Sequence, residues 1–146
     1  MADRTVFNSM SKRHVISLSP TGTVHEAAQV MTRSNSSSLL VIDSGGAMLG
    51  IVTERDLMTK VLAKAADPAV TTMTDIMTRN PTTVVPECKV SDAVLIMIER
   101  GFRHLPVVNE QGKILGVFSV RDALPREINT AIELAEFHEQ VNDALG

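Results

Sequence analysis

Aromatic residues and cysteine are scarce in this chain of 146 residues, which has four phenylalanines, one cysteine, and neither tryptophan nor tyrosine. So few aromatic side chains leave few platforms on which nucleic-acid bases could stack. The single cysteine, Cys88, excludes an internal disulfide bond and any metal site built from several cysteines. We therefore expect a reducing, cytoplasmic location and a core made mainly of aliphatic side chains and methionine.

The chain also lacks a strong net charge and a long apolar run. Its 17 acidic and 14 basic residues give a formal net charge of −3, so no general attraction to nucleic acid or to an anionic membrane is expected. Residues 94–98 form one of the longest apolar runs, which is far too short to span a bilayer. The first residues do not read as a secretory signal. We expect neither membrane nor nucleic acid among the partners.

What the chain does have is an internal repeat. The pattern glycine, two apolar residues, hydroxyl residue, any residue, arginine, aspartate occupies residues 50–56 and recurs 66 positions later, at residues 116–122. At this offset the match continues without gaps back to residue 20, which indicates a duplication. A looser echo relates residues 6–11 to residues 73–78 at an offset one residue longer. It predicts a short helical turn packed ahead of each copy.

Each copy predicts the same order of elements. An extended segment that stops at a proline leads into a helix, whose N-cap we assign to Thr23 in the first copy and to Ser91 in the second. Two strands joined by a tight turn follow and form a hairpin, with the duplicated pattern at the end of its second strand. The predicted strands are residues 15–18, 39–42 and 48–53 in the first copy, and residues 83–85, 105–108 and 114–119 in the second.

A helix is also predicted after each copy of the pattern. The first runs over residues 54–65, and the second is a polar helix over residues 126–144. One face of this terminal helix is an apolar stripe formed by Leu134, Phe137, Val141 and Leu145. Such a face must be covered, either by the rest of the chain or by another subunit.

The chain resembles a tandem pair of CBS domains (cystathionine-β-synthase-type repeats), also called a Bateman module. The resemblance is carried by residues 75–81 (Asp-Ile-Met-Thr-Arg-Asn-Pro), residues 103–108 (Arg-His-Leu-Pro-Val-Val) and both copies of the duplicated pattern. It covers residues 6–125 and looks like a stand-alone version of the module. It implies an α/β (α+β) fold with two βαββα-type repeats, packed through their sheets with pseudo-two-fold symmetry.

The domain limits that we expect follow from this resemblance. They are residues 6–66 for repeat 1, residues 74–125 for repeat 2 and residues 126–146 for a C-terminal helix. The resemblance further implies clefts that bind adenosine-containing ligands such as AMP, ADP, ATP, NAD or S-adenosylmethionine. It also implies a regulatory role without catalysis, and a homodimer. The terminal helix lies outside the resemblance and could contribute to that dimer.

The residues of the duplicated pattern suit such a ligand. An ionised carboxylate can accept hydrogen bonds from both ribose hydroxyls, a hydroxyl at a helix start favours phosphate, and a guanidinium adds a forked contact to phosphate. We assign these three roles to the pairs Asp56 and Asp122, Thr53 and Ser119, and Arg55 and Arg121.

Adenine needs a flat apolar slot with backbone partners. The segments expected to line it are Ile16, Ser17, Ser38, Leu39 and Leu40 in the first copy, and Thr82, Thr83, Val84, Leu105 and Pro106 in the second. Arg103 and His104 precede the second slot, where His104 either contacts phosphate or is structural. The second cleft follows the family pattern more closely, because the first lacks this basic pair and has Glu54 beside its phosphate position.

Other interpretations stay open at this point. An aspartate at a helix start is often just a cap, so both aspartates could be structural. The chain could also be a dimeric interaction module without a ligand, or, less readily, a DNA-binding regulator. An enzyme is the least favoured class, because the sequence assembles no nucleophile–base pair and no metal cluster. We therefore expect no catalytic residue, no catalytic cofactor and no metal ligand.

Overall fold

The computed structural model describes residues 3–10 and 15–145, and these residues form two compact units. The first unit is Val15–Pro81, and the second unit combines residues 3–10 with residues 82–145. Each unit has its own buried core.

Both units mix helices with strands, which confirms the α/β class. The first unit contains β1 (Ser17–Leu18), α2 (Val24–Ser34), β2 (Ser38–Ile42), β3 (Met48–Thr53), α3 (Glu54–Asp56) with a π-helical continuation (Leu57–Leu62), α4 (Met73–Ile76) and β4 (Thr78–Arg79). The second unit contains α1 (Val6–Ser9), α5 (Val90–Arg100), β5 (His104–Val108), β6 (Ile114–Ser119), a 3-10 turn (Val120–Asp122) and α6 (Pro125–Leu145).

The two hairpins repeat each other closely. In the first turn, the Oδ1 atom of Asp43 accepts hydrogen bonds from the N–H groups of Gly45 and Ala47, both at 2.9 Å. In the second turn, Asn109 Oδ1 accepts from the N–H groups two and four residues later, at 3.0 and 2.9 Å. Each turn also has a glycine at positive φ, Gly46 at 87° and Gly112 at 80°, which only glycine adopts at low cost. The predicted hairpins are therefore confirmed.

Parallel pairing adds the extended segment of each copy to its hairpin. In the first unit the strand order is β1-β2-β3-β4, with β1 parallel to β2 and the other pairs antiparallel. In the second unit Val84 forms an isolated parallel bridge to Val107, so the strand predicted at residues 83–85 is reduced to one bridge. Pro106 lacks an N–H group and cannot form the bond that Leu40 donates to Ile16 in the first unit.

The cores are aliphatic, as the composition predicts. Helix α2 buries Val24, Ala27 and Met31, which lie on one face because they are three and four residues apart. They pack with strand residues of the same unit, chiefly Leu39, Val41 and Val52. In the second unit the buried cluster includes Val90, Ala93, Val94, Met97, Leu105, Val107 and Phe118. Phe118 is completely buried and is the bulkiest side chain in that state among the described residues.

The short helices α1 and α4 confirm the looser echo in the sequence, but neither packs with the copy that follows it in the chain. Each is preceded by an N-cap threonine, Thr5 or Thr72. Helix α1 packs on the core that contains the second hairpin, whereas Met73 and Ile76 of α4 are buried in the core of the first. The expectation that each turn packs with the copy that follows it is therefore wrong. Residue 11 of the echo lies outside the described residues.

Two other predicted helix boundaries are corrected. The N-cap of α5 is Lys89, not Ser91, and Lys89 is the residue that lies 66 positions after Thr23. Thr23 itself is confirmed as an N-cap, because its Oγ1 accepts the N–H of Glu26 at 3.2 Å. The helix predicted over residues 54–65 ends at Leu62, and most of it is π-helical. The predicted terminal helix is confirmed as α6.

We expect Gly50→Ala to destabilise the first unit. Strand β4 pairs with β3 so closely at this position that a Cβ atom on Gly50 would lie 2.6 Å from the carbonyl oxygen of Thr78 and 2.8 Å from the sulfur of Met77. Relieving this overlap should cost about 1–3 kcal/mol in the free energy of unfolding, measured by urea denaturation.

The matched control is Gly45→Ala, whose new Cβ would meet Asp43 Oδ1 at an ordinary 3.4 Å. This variant should change the free energy of unfolding by less than about 0.5 kcal/mol. Equal destabilisation by the two alanines would show that the contact with β4 is not the cause.

Candidate functional site

The duplicated pattern lies at the same place in both units, where the second hairpin strand ends and a helical turn begins. We call residues 53–56 the first corner and residues 119–122 the second corner. In the first hairpin Thr53 pairs with Ser38, and in the second Ser119 pairs with His104. The hydroxyl residue of each corner is thus held opposite the first residue of the neighbouring strand.

Reciprocal hydrogen bonds close the first corner. The N–H and Oγ1 of Thr53 donate to Asp56 Oδ2 at 2.9 and 3.1 Å, and the N–H of Asp56 donates back to Thr53 Oγ1 at 3.3 Å. On the other side, Lys60 Nζ lies 3.1 Å from Asp56 Oδ1 and donates to the carbonyl oxygen of Ile76 at 2.8 Å. Asp56 is only 9% exposed. It therefore acts as a cap and as the partner of a lysine.

Lys60 belongs to the π-helical segment Leu57–Leu62. The N–H of Ala63 bonds to the carbonyl oxygen of Met58, five residues back, instead of four. Short π-helical stretches of this kind are frequent at functional sites. Here the segment carries the lysine that ties the first corner to the end of α4.

Similar hydrogen bonds close the second corner, where the helical turn is shorter. The N–H of Ser119 donates to Asp122 Oδ2 at 3.0 Å, and Ser119 Oγ accepts the N–H of Arg121 at 3.3 Å. Asp122 is half-buried, and the residue 66 positions after Lys60 is Arg126, in the first turn of α6. A three-residue 3-10 turn has a smaller dipole than the helical run at the first corner. A helix dipole would accordingly attract a phosphate group less strongly at Ser119 than at Thr53.

A further backbone N–H group of each corner is also engaged by the chain itself. The N–H of Glu54 donates to the carbonyl oxygen of Ser37 at 3.0 Å, and the N–H of Val120 donates to that of Arg103 at 3.2 Å. Neither donor is therefore available to a phosphate group. The side chains of the corners remain as the candidate phosphate contacts.

Within each unit, the segments predicted to line an adenine slot are brought together. Ser17 pairs with Leu40, and the N–H of Leu40 donates to the carbonyl oxygen of Ile16 at 2.9 Å. In the second unit the N–H of Val84 donates to the carbonyl oxygen of Pro106 at 3.0 Å. The remaining predicted residues lie on the same strands or beside them, namely Ser38, Leu39, Thr82, Thr83 and Leu105.

The predicted ligand-binding residues differ in how far their side chains are exposed to solvent. The side chains of Leu39, Leu40 and Leu105 are at most 1% exposed, so they support the sheet from within the core. Thr83 is exposed, and Thr82 accepts a hydrogen bond from Arg100 at 3.2 Å. The three predicted arginines, Arg55, Arg103 and Arg121, are exposed, and His104 is half-buried.

Sequence reasoning missed Arg4 and Glu127, which form an ion pair next to the second corner. The two residues make a forked contact, with Arg4 Nη2 at 2.7 Å from Glu127 Oε1 and Nε at 3.2 Å from Oε2. Arg4 Nη2 also donates to the carbonyl oxygen of Asp122 at 2.9 Å. Glu127 is 7% exposed and accepts the N–H of Leu124 at 2.7 Å. The pair therefore joins the N-terminal segment, the second corner and the start of α6.

This ion pair shifts the pKa of both partners. The hydrogen bond from Arg4 holds the pKa of the Glu127 carboxyl below its usual value, although burial acts in the opposite direction. The same hydrogen bond raises the pKa of Arg4. No local motif marks the pair, because the two residues are 123 positions apart. A glutamate in the first turn after Pro125 is the one sequence signal that points to a cap.

Other reactive groups do not assemble into a site. Within residues 3–10 and 15–145, no cluster of three or more histidine, cysteine, aspartate or glutamate residues is placed to hold a metal ion. Burial and the charge of Asp92 raise the pKa of the half-buried Cys88 thiol, which makes it a poorer nucleophile. In the same part of the chain, no helix has both the length and the apolar character needed to cross a membrane.

Two units with the same hairpin, the same preceding helix and the same capped corner define a tandem-repeat α/β protein. The sequence model of the CBS domain matches this chain twice, over residues 6–63 and 73–127. The chain therefore belongs to the CBS domain family.

The relatives of this chain include proteins of similar architecture. An uncharacterised protein from Methanopyrus kandleri is 35% identical over 118 residues, which is 81% of this chain and 60% of that protein. A CBS domain protein from Pyrobaculum aerophilum complexed with AMP is 26% identical, with a TM-score of 0.76 over 91% of this chain and 99% of that one. The CBS domain pair of a further protein, in complex with 5'-methylthioadenosine and S-adenosyl-L-methionine, is 26% identical with a TM-score of 0.73, over 83% and 93%.

This chain is thus shorter than several curated relatives. It spans 60% of the Methanopyrus protein, and the part aligned with a much larger Schizosaccharomyces pombe protein is 20% of that protein's length.

The Arg4–Glu127 pair should stabilise the second unit in a pH-dependent way. Glu127→Gln should lower the free energy of unfolding by about 1–3 kcal/mol at neutral pH, because it removes a charged acceptor from a partly buried pair. The pKa of Glu127 is depressed in the folded state, so this stabilisation is complete above its usual value of 4.5. It is lost as the pH falls through the folded-state pKa. Denaturant unfolding at a series of pH values measures the difference between wild type and variant.

Asp3→Asn is the control from the same N-terminal segment. Asp3 pairs with Lys89 at 3.6 Å, but both side chains are more than half exposed, so little change is expected. A Glu127→Gln effect that stays constant from neutral to acidic pH would contradict the assignment of the stabilisation to the ion pair.

Proposed function

We propose that this chain is a regulatory module that binds an adenosine-containing ligand and performs no catalysis. The observation that carries the proposal is the corner that recurs in the two units, with a hydroxyl, an arginine and an aspartate at matching positions. It is supported by CBS proteins of closely similar fold that were crystallised with AMP or with S-adenosylmethionine. AMP, ADP, ATP, NAD and S-adenosylmethionine share the adenosine group and are the ligands to test.

Asp122 is the better candidate for the ribose contact. At the first corner, a ribose would compete with Lys60 for the carboxylate of Asp56, which is almost fully buried. Asp122 is half-buried and lies on a short turn that a ligand can approach more readily. The ribose hydroxyls would donate to the Asp122 carboxylate, which accepts them best when it is ionised. The first corner would then be mainly structural, or would bind ligand only after Lys60 moves.

The phosphate group would lie near the basic side chains of the second unit. Arg103 and Arg121 are exposed, and His104 is held opposite Ser119 by the hairpin register. Two guanidinium groups and a hydroxyl supply the forked and single contacts that phosphate accepts. At the first corner Arg55 offers a similar contact, next to the acidic Glu54.

Occupancy of the second corner could be relayed through Arg4. This side chain bonds to the carbonyl oxygen of Asp122 and to Glu127 in the first turn of α6. A ligand that moves the backbone at Asp122 would change the geometry of this contact, and with it the start of α6. It would shift the equilibrium only by the difference in its affinity for the two arrangements.

A homodimer and a cytoplasmic location complete the proposal. Met58 and Leu62 of the first unit are 57% and 75% exposed, and Ile132 in the first half of α6 is 41% exposed. A second copy would remove such apolar side chains from water. The single half-buried cysteine suits a reducing compartment. Size-exclusion chromatography with light scattering measures the state of association directly.

We expect at least one of the five adenosine compounds to bind, as measured by calorimetry and by thermal shift. Asp122→Asn should then weaken binding about tenfold or more, because the ribose loses an ionised acceptor. Asparagine retains an oxygen that can accept the N–H of Ser119, so the corner should stay closed.

The matched control is Asp43→Asn. Asn109 makes the same two contacts in the second hairpin turn that Asp43 makes in the first, so this substitution is known to fit its turn. It should leave affinity unchanged. Failure of all five compounds to bind would reject the ligand class, and unchanged affinity in Asp122→Asn would remove Asp122 from the site. The proposal of a dimeric interaction module without a ligand would then be favoured.

A further inference from the structure

A shallow groove runs along the second half of α6, beside α5. Its apolar and acidic lining includes Ile98 and Glu99 of α5 and Phe137, Glu139, Val141 and Asp143 of α6. We call this surface the α6 groove. It is separate from both corners and plays no part in the proposed binding of adenosine.

The groove has an exposed apolar stripe. Phe137, Val141 and Leu145 are spaced four residues apart, which places them along one side of the helix. They are 59%, 38% and 83% exposed, and the neighbouring Ile98 is 42% exposed. A contiguous row of exposed apolar side chains is typical of a surface that contacts another molecule.

Carboxylates flank this stripe. Among the described residues that line the groove, three are acidic (Glu99, Glu139 and Asp143), and none is a lysine or an arginine. From Ile128 to Leu145, α6 carries four acidic residues and no lysine or arginine. Its last turn has no basic residue, so the negative end of the helix dipole adds to the charge of Asp143. The C-terminal end of α6 is therefore electrostatically unfavourable on its own.

The groove is already formed in the free chain. Ala131, in the first half of α6, is completely buried in the core of the second unit, which fixes the helix against α5. Further along, His138 Nδ1 lies 2.8 Å from Glu99 Oε1, which connects the second half of α6 to α5. A partner would thus meet a surface that needs little rearrangement.

We propose that the α6 groove docks a basic amphipathic helix of a partner protein. Leucine-type side chains of such a helix, recurring every three to four residues, would cover Phe137, Val141 and Ile98. Its lysines or arginines would face Glu99, Glu139 and Asp143 and would offset the charge at the end of α6. A second copy of the groove is a poorer occupant, because a two-fold contact would set these carboxylates against one another.

The test uses the full chain without nucleotide, so that its outcome is independent of ligand binding at the corners. The probe is a fluorescent helical peptide of about 18 residues, roughly five turns, with leucines on one face and lysines on the other. The control peptide has glutamate in place of every lysine. Fluorescence anisotropy at an ionic strength of about 0.15 M measures the affinity for each peptide.

We expect the lysine peptide to bind and the glutamate peptide not to bind. Phe137→Ser should weaken binding about tenfold, because the exposed ring supplies much of the apolar contact. The double charge reversal Glu139→Lys with Asp143→Lys should weaken it by a similar factor or more. Because these positions are exposed, the variants should keep the circular dichroism spectrum of the wild type.

The matched control is the double reversal Glu87→Lys with Glu110→Lys, which makes the same change in net charge at exposed positions outside the groove. It should change affinity less than about twofold. Equal weakening by the two double reversals would mean non-specific attraction to an acidic protein and would overturn the proposal. So would unchanged binding in Phe137→Ser, or a dimer of the wild type that Phe137→Ser dissociates while the lysine peptide fails to bind.

Discussion

The structure of each unit depends on one reciprocal contact, between a hydroxyl residue at the end of a strand and an aspartate three residues later. At the first corner, Thr53 donates to Asp56 and accepts from it, which satisfies backbone groups that a helix start would otherwise leave without partners. The contact lies where the strand ends and the helical turn begins. At the second corner Asp122 likewise accepts the N–H of Ser119, while Ser119 Oγ accepts the N–H of Arg121.

The same contact sets a limit on recognition. A carboxylate that caps its own corner has part of its hydrogen-bonding capacity already used, so a ligand has to share it or displace a partner. At Asp56 the competition is strong, because Thr53 bonds to one oxygen and Lys60 to the other. Burial increases the cost of disturbing this arrangement. At the first corner this limit is set by one lysine on a neighbouring helical turn.

The hairpins, the corners and the terminal helix could be predicted from sequence because local rules determine them. Turn residues such as Asp43 and Asn109 act within four positions, and the apolar spacing in α2 and α6 acts within a few turns. Even the wrong N-cap, Ser91, follows from a local preference for a hydroxyl residue at the start of a helix. The offset of the repeat instead points to Lys89, which is the observed N-cap.

The features that sequence reasoning missed depend on contacts across long stretches of chain. Helices α1 and α4 are short and similar, so their sequences do not reveal that each packs with the other copy. Likewise, the partner of Arg4 lies at the far end of the chain, in α6. The sequence alone could not distinguish a capping role of the corner aspartates from ribose binding, since a cap and a ribose contact need the same residue at the same position.

Helix α6 combines two halves with different physical roles. Its first half is anchored, because Ala131 is buried and the buried Glu127 forms an ion pair with the half-buried Arg4. Its second half is joined to α5 by the exposed pair of His138 and Glu99, and contacts of that kind contribute little to stability. Removing apolar or acidic side chains from the second half would therefore cost the fold little. Stability therefore does not explain the acidic, apolar surface there, whereas the proposed docking of a basic helix would. The anchored half connects that surface to the second corner through Glu127 and Arg4.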